Sequence, residues 1–248
     1  MAAWIALARQ LGTATLAGVI AGVVVGGLLG RVAMRISGFA AGPSMVGVRT
    51  EGGNPVGDIT FAGTLALVFF VGIPAGLLGG VVYGIVEPWL RRLRPWHGLA
   101  YGIALLAGVG FTVLDPFNFD FARFGSLSLN VALFAALFVI FGVVTAWLFD
   151  RLRVISARAG TTARVLDTAG LLVLGPAALA IALAVVGAFT GASSNTVVSI
   201  VIIGALAVAA IVRYLGLPRL VGYACLAGAL LLGTTRTIGD VLHMFYGF

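Results

Sequence analysis

Ten charged side chains collect on one side of the apolar runs in this chain: Arg31, Arg35, Arg49, Arg123 and Arg236 against Glu51, Asp58, Asp115, Asp120 and Asp240. Guanidinium groups grip carboxylates and phosphates through paired hydrogen bonds, so such a set can neutralise itself or enclose an anionic or amphipathic ligand. Arg31 and Arg35 stand four residues apart, on one face of a helix, and like charges that close require counterions. Arg236 and Asp240 share the same spacing with opposite signs. Equal numbers of each sign suit a structural network, and that reading is preferred over a ligand site.

What is missing narrows the chemistry further. The chain has no lysine, which excludes both a retinal Schiff base and a P-loop. His97 and His243 are the only histidines and are expected near opposite membrane faces, so they cannot share a haem or a metal. Neither a G-x-S-x-G elbow nor an H-E-x-x-H pair occurs. "PVGD" at 55–58 approaches the G-x-G-D of intramembrane aspartyl proteases, but Pro55 takes the first glycine position and Asp58 and Asp115 fall at helix ends. No ionisable residue sits in the middle of an apolar run, which disfavours a pump or an ion-coupled carrier. The expectation is no catalytic residue, no cofactor and no metal.

The elements that must carry these residues are membrane helices. With 61% hydrophobic and 9% charged residues and a mean hydropathy of +1.15, 248 residues cannot cover a water-soluble globule. A helix needs roughly 20 apolar residues to cross the hydrocarbon core. Runs 11–30, 59–86, 98–114, 124–149 and 168–212 qualify, and the last is long enough for a hairpin turning at "GASSNT", 191–196. A final run, 220–235, is short unless Arg219 and Arg236 snorkel. The reading is an all-α polytopic bundle of about seven helices, with six plus a re-entrant or interfacial tail as the alternative. It forms one transmembrane domain over 1–248, in which the N-terminal run is a retained first helix rather than a cleaved signal. Cys225 is the single cysteine, so no intrachain disulfide can form.

Arginine placement orients the bundle. Arg9, Arg91, Arg92, Arg94, Arg151, Arg153, Arg158, Arg164, Arg213 and Arg219 fall on one side, ten of the fifteen, which predicts a cytoplasmic N-terminus and an outer C-terminus. That excess can attract anionic headgroups, although a topology signal alone accounts for it. The basic residues are scattered over short loops, which argues against nucleic acid.

Glycine spacing predicts the packing. Gly18, Gly22, Gly26 and Gly30 recur at intervals of four, as do Gly72, Gly76, Gly80 and Gly84. Each set forms a bare stripe on which two backbones can touch, a glycine zipper, so the first two helices are expected to pair. Pro74 and Pro176 fall inside apolar runs, where ordinary packing tolerates them more often than a transport break requires them.

The outer loops 35–60 and 115–127 are read as a cap. In "DPFNFDFARFGS", 115–126, Phe117, Phe119 and Phe121 alternate with Asn118 and Asp120 as in an extended segment, greasy on one edge, that anchors at the interface and neutralises Arg31 and Arg35. With "RVAMRI" (31–36), "RTEGGNPVGDITFAGTL" (49–65) and "LDPFNFDF" (114–121), the chain resembles a group of uncharacterised multi-pass membrane proteins of high-GC bacteria such as actinobacteria, over roughly its first 150 residues. Glu51-Gly52-Gly53 replaces the more acidic run of that group, which argues against a cation role for the loop. The resemblance implies a multi-pass protein of the bacterial inner membrane and supplies no activity. The expected role is that of a non-catalytic structural or accessory subunit, partnered by the lipid bilayer and by other membrane subunits or copies of itself. The alternative is a transporter or channel for a small or lipophilic solute entering through the outer cap.

Overall fold

The computed structural model describes residues 2–50, 53, 60–117, 120, 123–157, 161–190, 194–214 and 219–247. Every regular element of four or more residues among them is helical. The first helix, α1, runs Ala2–Ala21, widens into a π segment at Gly22–Leu29 and closes as Gly30–Ala40. The second, α2, repeats this design: Phe61–Leu67, a π segment at Val68–Gly72, then Ile73–Leu90. Helix α3 spans His97–Val109 and tightens to a 3₁₀ turn at Gly110–Thr112; α4 is Leu127–Ser156, α5 Thr161–Thr190, α6 Ser194–Tyr214 and α7 Arg219–Tyr246. Four helices among the described residues are long and apolar enough to cross a membrane, at Ile5–Ala40, Phe61–Leu93, Leu127–Ser156 and Leu220–Tyr246, and His97–Thr112 is a shorter apolar helix.

Two boundaries differ from expectation. The first outer loop does not begin at 35, because α1 continues to Ala40; Arg31 and Arg35 interrupt the apolar run without interrupting the helix, since arginine is a good helix former. The short run 220–235 is only the apolar part of a 28-residue helix, so α7 has the length to cross without a re-entrant turn.

Helix α1 lies at the centre, packed against α2, α4 and α5, while α3 packs against α4 and α7, and α6 against α7. Glycine meets glycine at these crossings. A Cβ added at Gly76 would stand 2.5 Å from the carbonyl oxygen of Gly18, one at Gly80 2.6 Å from Thr15 Cα, and one at Gly72 2.7 Å from the carbonyl oxygen of Gly22. Those distances leave no room for a methyl group. Gly26 and Gly30 are looser, at 3.3 Å from Gly72 Cα and 3.4 Å from a Leu67 methyl, and Gly84 faces the Leu11 side chain at 2.9 Å. The same device joins α1 to α5 through Gly12 and Gly170, α3 to α4 through Gly102 and Gly142, and α3 to α7 through Gly108 and Gly233. Between α1, α2, α3 and α4 the space is filled by Ala14, Ala17, Ala21, Val25, Tyr83, Tyr101, Phe141 and Phe149.

Prolines and breaks in the helices are answered by particular partners. Pro74 has no N–H for the turn before it, and that turn is the π segment, where Ile73 N donates five residues back to Val68 O. Pro88 cannot donate to the carbonyl of Gly84, and Gln10 Nε2 from α1 does so at 3.1 Å. Where α3 tightens, the Thr237 hydroxyl of α7 enters the gap: Phe111 N donates to Thr237 Oγ1 at 3.1 Å, and that hydroxyl lies 3.3 Å from Ala107 O as its donor. One side chain thus replaces the helical bond from residue 111 to 107.

Candidate functional site

Eight of the ten charged residues expected to form one outer network lie among the described residues. Arg31 is buried near the α1–α2 contact, with Nη2 3.5 Å from Thr60 Oγ1. Arg35 stacks its guanidinium over Phe39, 4.7 Å from the ring centre, and Arg49 is exposed. Arg123 lies over Phe124 at 5.5 Å, and Asp120 is half-buried. Arg236 and Asp240 pair along α7 at 3.2 Å, with Asp115 and His243 within electrostatic reach of Asp240. Glu51 and Asp58 lie outside the described residues, as do Asn118, Phe119 and Phe121.

The loop 115–126 is not extended where it is described. Phe124 N donates to Asp120 O at 3.1 Å, a helical turn, and Asp115 Oδ1 caps Phe117 N at 2.9 Å. Its phenylalanines part ways: Phe117 is exposed beside the His243 ring at 5.9 Å, whereas Phe124 is buried. A polar hub under Phe124 fixes the turn. Asn130 Nδ2 donates to Phe124 O at 2.5 Å, and the Ser37 hydroxyl lies 2.6 Å from Asn130 Oδ1. Gly125, at φ +74°, makes the reversal, and a Cβ there would stand 3.0 Å from Ser37 O. Backbone groups near the membrane must find partners inside the protein, and coiling supplies more of them than an isolated extended strand can.

The opposite end of the bundle holds a denser arrangement that the sequence analysis overlooked. Tyr83 of α2, Tyr101 of α3 and Phe149 of α4 form a buried aromatic layer, with Tyr83 edge-on to Tyr101 at 4.9 Å and to Phe149 at 5.3 Å. The Tyr101 hydroxyl donates to Gly79 O. One turn nearer the helix ends, the same faces carry charge. Glu87, 1% exposed, receives Arg91 Nε and Nη2 at 2.8 Å each, one guanidinium nitrogen to each carboxylate oxygen. Arg153 Nη1 stands 3.7 Å from Glu87 Oε1. Asp150 accepts from Arg94 Nη2 at 2.7 Å, and His97 Nε2 is 3.4 Å from its other oxygen. Further out along the same rim, Arg9 pairs with Asp167 at 3.2 Å, and the Ser156 hydroxyl donates to Asp167.

The geometry follows from helix periodicity. Tyr83 and Glu87 share one face of α2, Phe149 and Arg153 one face of α4, and His97 and Tyr101 one face of α3. An aromatic pair and an ion pair therefore recur one turn apart. The signal in the sequence was the four-residue spacing of Glu87 and Arg91 beside the turn 91–94; the link to Asp150 and Arg153, more than fifty residues away, has no local signature. Chemically the cluster clamps helix ends together. Among the described residues no group of three His, Cys, Asp or Glu side chains is placed to hold a metal ion. Comparison with protein-family models, with curated proteins and with solved structures finds no match to this chain.

Proposed function

We propose that the chain is a non-catalytic, multi-pass protein of the bacterial plasma membrane that crosses seven times, N-terminus in and C-terminus out, and serves as a structural or accessory subunit through helix packing. The observation that carries this reading is the filled centre. Ala14, Ala17, Ala21 and Val25 of α1, each at most 1% exposed, close directly on Tyr83, Tyr101, Phe141 and Phe149. A carrier needs a cavity between its helices for the solute, and these side chains fill the core shared by α1 to α4, which supports the scaffold. The orientation rests on the arginine-rich end, and the bacterial inner membrane on the sequence resemblance.

The second reading, a carrier for a small or lipophilic solute, draws on one feature. The π segments of α1 and α2 lie against each other, with Gly27 facing Val68, and π segments recur at functional sites. Two measurements on native-purified protein separate the readings. The scaffold reading expects a stoichiometric membrane partner or a defined oligomer by mass spectrometry, and proteoliposomes no leakier than protein-free vesicles. Monomeric protein that raises the flux of a small solute, with the flux abolished by Gly27→Leu, would replace the scaffold with the carrier.

A further inference from the structure

Helix α7 and the chain that leaves α3 run side by side toward the end of the bundle opposite the arginine-rich one, and their contacts pair off turn by turn. Gly233 meets the backbone of Gly108, the Thr237 hydroxyl accepts from Phe111 N, and the His243 ring lies 5.9 Å from that of Phe117. Asp240 stands on the same face between Thr237 and His243, four residues after Arg236 and three before His243. It lies beyond the apolar run 220–235, yet it is only 4% exposed.

The two oxygens of Asp240 have unlike surroundings. Oδ1 faces Arg236 Nη2 at 3.2 Å, whereas Oδ2 is buried and has no hydrogen-bond donor among the described residues. Three ionisable groups act on this carboxylate: Arg236 and His243 on its own helix, and Asp115 from the segment after α3, whose Oδ1 already accepts from Phe117 N. A carboxylate oxygen held out of water without a donor is costly, and a like charge within electrostatic reach adds to the cost. Among the described residues no three His, Cys, Asp or Glu side chains are placed to hold a metal ion, so a proton is the cation that suits this place.

We propose that Asp240 is a proton-binding site, taking a proton from the medium onto Oδ2, and that the neutral carboxyl ties α7 to the segment 113–117 more firmly than the carboxylate does. The proton turns a buried acceptor without a donor into a donor, ends the repulsion with Asp115, and leaves Oδ1 still able to accept from Arg236. A positive charge on His243 would oppose the uptake, so the histidine limits the site and is not itself the sensor. The folded chain then holds this proton more tightly than the unfolded one. The contact therefore strengthens as pH falls and loses that stability as pH rises through the titration of Asp240. The site is independent of whether the protein serves as scaffold or carrier; with the C-terminus out, it responds to the outer medium.

The test is thermal unfolding of the full chain in one detergent from about pH 8 to about pH 5, the range into which burial and a like charge can move a carboxyl. Relative to D240N, which keeps the neutral shape at every pH, the wild-type midpoint should rise across this range by about 3–5 °C for each tenfold preference of the folded state for the proton. At pH 8 D240N should match or exceed wild type, and H243Q should keep the wild-type rise. A midpoint for D240N below wild type at pH 8, with the same pH dependence, would show that the charge pair with Arg236 is what matters and overturn the site; so would a rise that H243Q abolishes. Should D240N fail to fold, D115N must move the rise to lower pH, and an unchanged profile would be equally fatal. Replacing choline chloride by sodium chloride at pH 8 should leave the midpoint where it is; stabilisation by sodium that D240N removes would mean that a metal ion, not a proton, is bound.

Discussion

Helices α2 and α7 are made of the same material and use it differently. Both are long, apolar and rich in glycine. On α2, Gly72, Gly76 and Gly80 press against the backbone of α1, and the carbonyls of Gly79 and Gly84 take donors from Tyr101 and Gln10. On α7, a Cβ at Gly228 or Gly239 would meet nothing within 4 Å, one at Gly222 would meet the Trp89 side chain at 3.2 Å, and Gly233 closes on a neighbouring backbone, that of Gly108 of α3. Glycine thus marks a contact only where a register of them faces a second register. In α2 the bare stripe brings two backbones together, and the close approach puts carbonyl oxygens within reach of side chains from neighbouring helices. In α7 the backbone contact at Gly233 is reinforced by one hydroxyl, Thr237, stitched into the break of α3. Association in lipid depends on such contacts, because apolar burial there offers no advantage over lipid tails.

That contrast can be broken most severely on the α1 side. Gly22→Leu would drive a side chain into the Gly72 and Gly76 backbone and should cost at least about 3 kcal/mol, seen as loss of the folded peak in detergent or a collapse of the unfolding midpoint. Thr237→Val tests the single stitch of α7. It preserves shape and leaves Phe111 N–H and Ala107 C=O without their hydroxyl, a loss of about 2 kcal/mol measurable by thermal unfolding, with faster amide exchange at Phe111.

The finest distinction is between two neighbouring tyrosines. Tyr101→Phe removes the donor to Gly79 O and should cost about 1 kcal/mol. Tyr83→Phe should be neutral or slightly stabilising, since the buried Tyr83 hydroxyl has no hydrogen-bond partner among the described residues. Both are read from unfolding midpoints in the same detergent, and equal losses would contradict a bond made by the Tyr101 hydroxyl alone.

Much of the helical organisation was legible, because long apolar runs and four-residue spacings are local properties. The end of α1 was not. Arg31 and Arg35 mark where apolar sequence stops, while the helix persists to Ala40 because nothing in "RVAMRISGFA" breaks it. Alternation in "FNFDF" suggested an extended segment, yet the described part of the loop coils around Asn130, a partner that no pattern within the loop announces. Glu87 and Asp150 escaped attention because each lies beside arginines at a run's end, where a charge ordinarily means a solvated boundary. Burial of Glu87 arises only when α4 brings Arg153 and Phe149 alongside α2. The π segments were equally hidden, since Pro74 signals a missing donor but not whether the helix kinks or widens in response.

The backbone contact between α1 and α2 is tested most directly by one methyl group placed at two positions. Gly76→Ala and Gly228→Ala make the same chemical change in apolar helices of similar composition, so thermal unfolding in one detergent isolates the surroundings. With Gly18 O only 2.5 Å from the added carbon, Gly76→Ala should lower the midpoint sharply, while Gly228→Ala, with open space, should leave it unchanged or raise it through helix propensity worth up to about 1 kcal/mol. Midpoints that move together, in either direction, would contradict the contact.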